Sequence, residues 1–153
     1  MDNTQSKTAP NSFLGIDFGS KKVGVATFRI GHTPMPMIWG NISYKSEQEL
    51  FEKLQDVIDE EVVDTVVLGL PLQADGTEGK LSKRIRLFSD KIKQKCPDIK
   101  HHYFQDETLT SYEAECRMKN SPRFNFKVDK SLLDAVAASI ILEDFVRDNL
   151  EIS

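Results

Sequence analysis

The run from Phe13 to Ala26 constrains the fold more than any other part of the chain. Apolar residues alternate along it on both sides of the Gly19-Ser20 pair, which predicts two strands joined by a tight turn. Asp17 interrupts the first strand, and a carboxylate in an apolar strand costs several kcal/mol unless donors or a cation satisfy it. Two explanations stay open. Asp17 bonds the backbone of the turn, or it belongs to a metal or phosphate site.

The remaining periodicities predict an α/β chain in the order βββαβαβαα. The expected strands after the hairpin are a third strand over 35–42 at or near a sheet edge, a buried parallel strand at Thr65–Leu70 and a strand over 100–105. A Ser46–Glu49 capping box predicts the start of the first helix, and Pro97 ends the second. Two further helices are expected from Thr110 to about Lys119 and from about Lys130 to Asn149. This order predicts a five-stranded mixed sheet flanked by helices. The first three strands are antiparallel and the later ones parallel.

Length and composition indicate one domain, which we place at residues 13–150 after a disordered lead at 1–12. The chain has 153 residues, of which 39% are hydrophobic and 29% charged. No apolar run approaches the roughly 20 residues of a membrane span, and the polar start resembles no signal peptide. We therefore expect a cytoplasmic protein that does not associate with a membrane. Cys96 and Cys116 form no metal-knuckle spacing and are interpreted as reduced thiols.

The charge distribution leaves the nature of the partner open. A net charge of −4 argues against a protein that coats duplexes by neutralising phosphates. Basic residues nevertheless concentrate between residues 80 and 100. Such a run is either a defined nucleic-acid surface or a solvated helix face.

Three carboxylates are candidates for one site at the carboxyl ends of the strands. Asp17 lies near the end of the first strand, Glu107 follows the fifth, and Asp134 borders the apolar stripe of the last helix. Local roles remain possible, since Glu107 could favour a helix N-terminus and Asp134 could complete a capping box with Ser131. Convergent carboxylates repel one another without a cation, and oxygen ligands suit Mg²⁺ or Mn²⁺. A divalent-metal site for phosphodiester hydrolysis is therefore the sharper hypothesis.

Four motifs, in order, resemble the YqgF/RuvX family of Holliday-junction-resolvase-like proteins. They are Leu-Gly-Ile-Asp-Phe-Gly-Ser-Lys-Lys-Val-Gly-Val-Ala at 14–26, Val-Leu-Gly-Leu-Pro-Leu at 67–72 with Asp-Gly-Thr-Glu at 75–78, Asp-Glu-Thr-Leu-Thr at 106–110, and Asp-Ala-Val-Ala-Ala at 134–138 followed by Ile-Ile-Leu. The resemblance covers about residues 13–148. It implies an RNase H-like fold and a role in maturation of precursor small-subunit ribosomal RNA.

The resemblance also implies roles for individual residues. The family's catalytic and metal-binding acids fall on Asp17, Glu107 and Asp134, and its usual Arg after the Asp-Glu pair is replaced by Thr108. The basic residues expected to hold a nucleic-acid backbone are Lys21, Lys22, Lys80, Arg84, Arg86, Arg123, Lys127 and Lys130.

Four functions follow as alternatives. The first is an Mg²⁺- or Mn²⁺-dependent endonuclease for 5′-end processing of pre-16S rRNA, and the second a Holliday junction resolvase acting on branched DNA. The third is a nucleotide-binding ATPase, because the turn after Asp17 and the Asp75-Gly-Thr sequence resemble phosphate loops. The fourth is a non-catalytic nucleic-acid or transcription-complex partner. The sequence leaves monomer and homodimer open.

Overall fold

The structure, a computed structural model, describes residues 9–19, 21–107 and 110–150, apart from the side chain of Ser111. The strands are β1 (Ser12–Phe18), β2 (Lys22–Arg29), β3 (Met37–Ser43), β4 (Thr65–Leu70) and β5 (His101–Asp106). The helices are α1 (Glu47–Glu61), α2 (Lys80–Lys95), α3 (Thr110–Lys119) and α4 (Leu133–Asn149), with a 3₁₀ helix at Pro122–Phe124 before α4.

The five strands form one mixed sheet in the order β3-β2-β1-β4-β5. β1 pairs antiparallel with β2, and β2 pairs antiparallel with β3. β4 runs parallel to both β1 and β5. This confirms the predicted sheet, including the edge position of β3. Because β1, β4 and β5 are parallel, their carboxyl ends meet at one side of the sheet, where ligand sites of α/β proteins lie.

Helices cover both faces of the sheet, and each face has its own core. Leu14, Ile16 and Phe18 of β1 pack with α1 and α2 on one face. Phe13, which alternates with them, packs against α4 on the other face. All residues of β4 are buried because helices cover both of its faces, and this explains the continuous apolar run in its sequence.

Local signals account for where several elements begin. The hydroxyl of Ser46 accepts a hydrogen bond from the Glu49 amide (3.2 Å), which caps α1 as predicted. The Asp64 carboxylate accepts hydrogen bonds from the amides of Asn11 and Ser12 at the amino ends of β1 and β4. β1 therefore begins at Ser12, within the segment predicted as a disordered lead. Residues 1–8 of that segment lie outside the described residues.

Some sequence predictions were wrong in detail. The last helix begins at Leu133 rather than near Lys130, because Asp129 holds the Ser131 amide in a turn (2.9 Å). The composition of the segment 120–128, which includes Pro122 and Asn125, predicts a loop with two exposed aromatic residues. The segment contains the 3₁₀ helix, and Phe124 packs against the α3–α4 core while Phe126 is exposed.

The helical spacing of Leu81, Ile85, Phe88 and Ile92 predicts one buried face for α2. The last three are buried, but Leu81 is exposed. In the part of the chain that the structure describes, no helix combines the length and apolar character of a membrane span.

Candidate active site

Strand alternation places Asp17 on the α4 face of β1. Ile16 and Phe18 point into the core beneath α1 and α2, so Asp17 between them points to the opposite face. Asp17 pairs with Gly24 of β2 and is the second-last residue of β1. Its half-buried carboxylate therefore stands at the carboxyl end of the sheet, under the start of α4.

Glu107 reaches the same place from β5. Its amide donates to the Leu70 carbonyl at the end of β4 (3.4 Å), which continues the parallel pairing of β5 with β4 by one residue. The carboxyl of Glu107 forms a side-chain hydrogen bond with Asp17. Gly69 provides the space for it, because a Cβ at position 69 would lie 2.9 Å from the Glu107 carboxylate. Two of the three predicted acids thus form a pair.

Asp134 lies beside this pair, on the first turn of α4. Its backbone carbonyl approaches Gly24 so closely that a Cβ built there would lie 2.0 Å from the carbonyl oxygen. Gly24 is the β2 partner of Asp17. Sequence reasoning did not single out Gly24, although an isolated glycine inside a strand is a known signal of close backbone approach.

Burial raises the pKa values of all three acids, and repulsion by a neighbouring carboxylate adds to the rise for Glu107 and Asp17. Burial is the main cause for Glu107, whose pKa rises to about 9, with the charge of Asp17 as the next cause. Burial likewise raises the pKa of Asp17 to about 6, and Asp134 adds to the rise, while the hydrogen bond from Glu107 acts against it. Burial raises the pKa of Asp134, and the Lys22 ammonium opposes that rise. At neutral pH, therefore, Glu107 holds the proton that it donates to Asp17.

The donor set fits a divalent ion, although the described residues hold no ready cluster. No three His, Cys, Asp or Glu side chains among them are arranged to hold a metal ion. However, the pair shares a proton only because two carboxylates are packed together. A cation can replace that proton, and carboxylate oxygens are the ligands that Mg²⁺ and Mn²⁺ prefer. Asp17, Glu107 and Asp134 are thus the candidate ligands.

The raised pKa values predict that the metal-free protein loses stability as pH rises. Between the unfolded pKa near 4 and the folded pKa of Glu107, the folded state binds more protons than the unfolded state, so unfolding becomes easier with pH. In the presence of a chelator, we expect the melting temperature to fall by about 5 °C or more between pH 5 and pH 9.

The variant Glu107→Gln removes the titrating group and is the control for this prediction. Its melting temperature should change less over the same pH range and should exceed that of the wild type at pH 8. If the melting temperatures of both proteins, measured by differential scanning calorimetry, change equally with pH, then Glu107 is not the group responsible.

The contacts of Asp17 and Asp134 differ from those that their local explanations predict. Asp17 bonds Glu107 across the sheet. Ser131 is not the N-cap of α4, since Leu132 occupies that position and the Ser131 hydroxyl donates to Asp129 (2.5 Å). Thr108, which replaces the family's usual Arg, lies outside the described residues.

The predicted basic residues are all exposed but differ in what they contact. Lys22 lies near Asp134, and its charge opposes the rise in the pKa of that carboxyl. The Arg84 guanidinium lies 5.7 Å from the centre of the Phe18 ring, on the face of β1 opposite to Asp17. Arg86 instead forms an ion pair with Glu78 and lies over the Phe104 ring. The remaining exposed members are Lys21, Lys80, Arg123, Lys127 and Lys130.

This five-stranded mixed sheet with helices on both faces has the RNase H-like fold. Among solved structures, the chain is similar to RuvC of T. thermophilus in complex with a Holliday junction (TM-score 0.55, 12% identity, covering 90% of this chain and 96% of that one). It is also similar to the Fowlpox virus resolvase bound to Holliday junction DNA (TM-score 0.54, 16% identity, covering 92% and 99%). At these identities the likeness shows the fold.

Sequence comparison shows the family. The RuvX family, described as "Holliday junction resolvase", matches residues 11–148. A relative from Orientia tsutsugamushi, named "Putative pre-16S rRNA nuclease", is 37% identical over 142 residues, covering 91% of this chain and 85% of its own. A relative of the same name from Dechloromonas aromatica is 35% identical over 136 residues, covering 85% and 86%.

The chain belongs to the RuvX family, as its motifs predicted, and is a nuclease, a hydrolase of phosphodiester bonds. Membership in this family groups it with nucleases rather than with the two-lobed ATPases that the phosphate-loop resemblance suggested. The Asp75-Gly-Thr sequence, which gave part of that resemblance, is hydrogen-bonded within itself. The carboxylate of Asp75 accepts hydrogen bonds from the amide (3.0 Å) and hydroxyl (2.6 Å) of Thr77.

Proposed function

We propose that this protein is a divalent-metal-dependent endonuclease that processes the 5′ end of pre-16S rRNA in the cytoplasm, with Asp17, Glu107 and Asp134 as its catalytic acids. The observation that carries the proposal is the hydrogen-bonded Asp17–Glu107 pair at the carboxyl edge of the sheet, with Asp134 beside it. Such a pair is costly to bury and is explained by a ligand that replaces its proton. The names of the relatives supply the substrate.

The three acids would hold Mg²⁺ or Mn²⁺, which when bound activates a water molecule and stabilises the leaving oxygen in phosphodiester hydrolysis. The protein contributes the placement of the ligands. β1 and the end of β5 fix Asp17 and Glu107, and the first turn of α4 carries Asp134. Partial burial keeps these carboxylates away from bulk water, which strengthens their electrostatic interaction with a cation.

The nucleic-acid backbone would cross the carboxyl edge of the sheet. Lys22 stands near the acids, since its charge acts on Asp134, and Arg84 lies over Phe18 on the other side of β1. Cations at these positions would bind phosphates on either side of the cleavage point. Arg86 is a weaker candidate because Glu78 already neutralises it.

A second candidate function is cleavage of four-way DNA junctions. The observation that favours it is the shared fold with two resolvases whose structures contain Holliday junctions. A resolvase acts on a two-fold symmetric junction and would require a homodimer, whereas trimming one RNA end would not.

The deciding experiment compares both substrates with the same purified protein. We expect Mn²⁺-dependent cleavage of a pre-16S rRNA fragment, cleavage abolished by a chelator, and cutting of a four-way DNA junction at least about tenfold slower. Products should be mapped at nucleotide resolution. Faster cleavage of the junction would favour the resolvase function, and cleavage that persists in excess chelator would contradict the metal-dependent mechanism.

A further inference from the structure

Asn41 connects the edge strand β3 to the segment that leads into α4. Its side-chain amide donates to the backbone carbonyl of Ser131, ninety residues later in the chain. Across the sheet, Asn41 pairs with Gly24, and Gly24 pairs with Asp17. The three residues therefore form one row. Asp134 packs over the middle of this row through its contact with Gly24.

A β-bulge gives Asn41 this orientation. Ile38 packs against the α3–α4 core, whereas Ile42, four residues later, packs into the core on the opposite face. Regular alternation would put both on the same face. The register shift between Val25 and Ala26, together with the positive φ of Gly40 (145°), inserts the irregularity. As a result, Asn41 faces α4.

The start of α4 lacks the side-chain cap that usually fixes a helix N-terminus. Leu132 is the N-cap residue and makes no side-chain capping bond. The Ser131 hydroxyl is directed to Asp129 instead. The contact from Asn41 thus ties this terminus to the sheet, and Asp134 lies only three residues beyond Ser131.

We infer that Asn41 is a positioning residue, which holds the first turn of α4 so that Asp134 stands beside the Asp17–Glu107 pair. This inference rests on the proposed function, because it assumes that the three acids act together. Asn41 acts through the backbone of Ser131 and needs no contact with substrate. Outer residues that orient ligands of a divalent ion commonly change metal affinity by 10–100-fold when they are substituted.

The Asn41 amide is poorly suited to a purely stabilising role. Its Oδ1 atom is buried and finds no donor among the residues that the structure describes. The gain from the bond to Ser131 is therefore offset by the unsatisfied acceptor. Replacing Asn41 with leucine, of similar size, should leave the melting temperature within about 3 °C of the wild type.

The test measures Mn²⁺ binding directly in Asn41→Leu, by the electron paramagnetic resonance signal of free Mn²⁺ in the absence of nucleic acid. We expect the affinity to fall about tenfold. With a pre-16S rRNA fragment, kcat should fall about 10–100-fold while KM stays within about twofold, because Asp134 is displaced but the substrate-binding cations are not.

Asn149→Leu is the matched control. Asn149 donates its side-chain amide to the Phe145 carbonyl (2.9 Å) at the opposite end of the same helix. The variant Asn149→Leu should leave Mn²⁺ affinity and kcat unchanged. Wild-type values in Asn41→Leu, or equal losses in both variants, would overturn the role of Asn41.

The wild type and Asp17→Asn separate this result from a failure of the proposed function. A wild type that binds no Mn²⁺ and cuts no RNA refutes the proposed function and the inference together. A wild type that does both, with Asp17→Asn defective and Asn41→Leu normal, refutes the inference alone.

Discussion

Asp17→Asn is expected to reduce Mn²⁺-dependent cleavage by at least about a thousandfold while leaving the protein folded. Asparagine has the shape of aspartate but lacks its charge, so it holds a divalent ion poorly. Loss of one group that stabilises the charge of the transition state typically costs this much in rate. The single-turnover cleavage rate of an RNA fragment measures the effect.

The stability of Asp17→Asn should not fall with its activity. Burial makes the charged carboxylate of Asp17 beside Glu107 unfavourable in free energy, as the raised pKa values of both residues show. Removing the charge relieves that cost, so metal-free Asp17→Asn should melt at or above the wild-type temperature at pH 8. A variant that loses activity because it unfolds would not support a catalytic role.

Asp64→Asn provides the reciprocal control. Asp64 lies at the amino end of β4, where its carboxylate accepts from the backbone amides of Asn11 (3.1 Å) and Ser12 (3.3 Å). An amide can replace only part of this, so Asp64→Asn should lose about 1–2 kcal/mol of stability but retain cleavage. If Asp64→Asn were inactive although folded, or Asp17→Asn active, the assignment of the site to the carboxyl edge would be wrong.

The sequence was sufficient to predict the sheet because the relevant signals are local. Two alternating runs around Gly19 predict the hairpin, and the apolar run at Thr65–Leu70 predicts a strand with helices on both faces. Parallel strands then bring their carboxyl ends together, so Asp17 and Glu107 could be expected near each other. The structure joins them by a hydrogen bond.

Features that depend on tertiary contacts could not be predicted in this way. Phe124 looks like a loop residue in sequence, but the α3–α4 core covers it. Arg86 looks like a phosphate-binding residue, but Glu78 in the preceding loop pairs with it. The orientation of Asn41 depends on a bulge, and a shift of one residue moves a side chain to the opposite face. Periodicity alone does not reveal such shifts.

Gly24→Ala is expected to be the most destabilising single-methyl change near the site. The added Cβ would lie 2.0 Å from the carbonyl oxygen and 2.2 Å from the carbonyl carbon of Asp134. These are backbone atoms, so no side chain can rotate away, and α4 must move relative to β2. Overpacking against a rigid neighbour of this kind should cost about 3 kcal/mol or more and lower the melting temperature by about 6–12 °C.

The same change should reduce cleavage beyond what lost stability explains. The displaced atoms belong to Asp134 itself, so even the folded fraction should cut RNA about 100-fold more slowly at a temperature well below the transition. Gly76→Ala is the matched control: Gly76 has a positive φ of 84° with no atom within 4 Å of an added Cβ. It should lose about 1 kcal/mol through backbone strain and keep its activity. If Gly24→Ala instead behaves like Gly76→Ala in both calorimetry and cleavage, then α4 does not lie against β2 closely enough to place Asp134 by this contact.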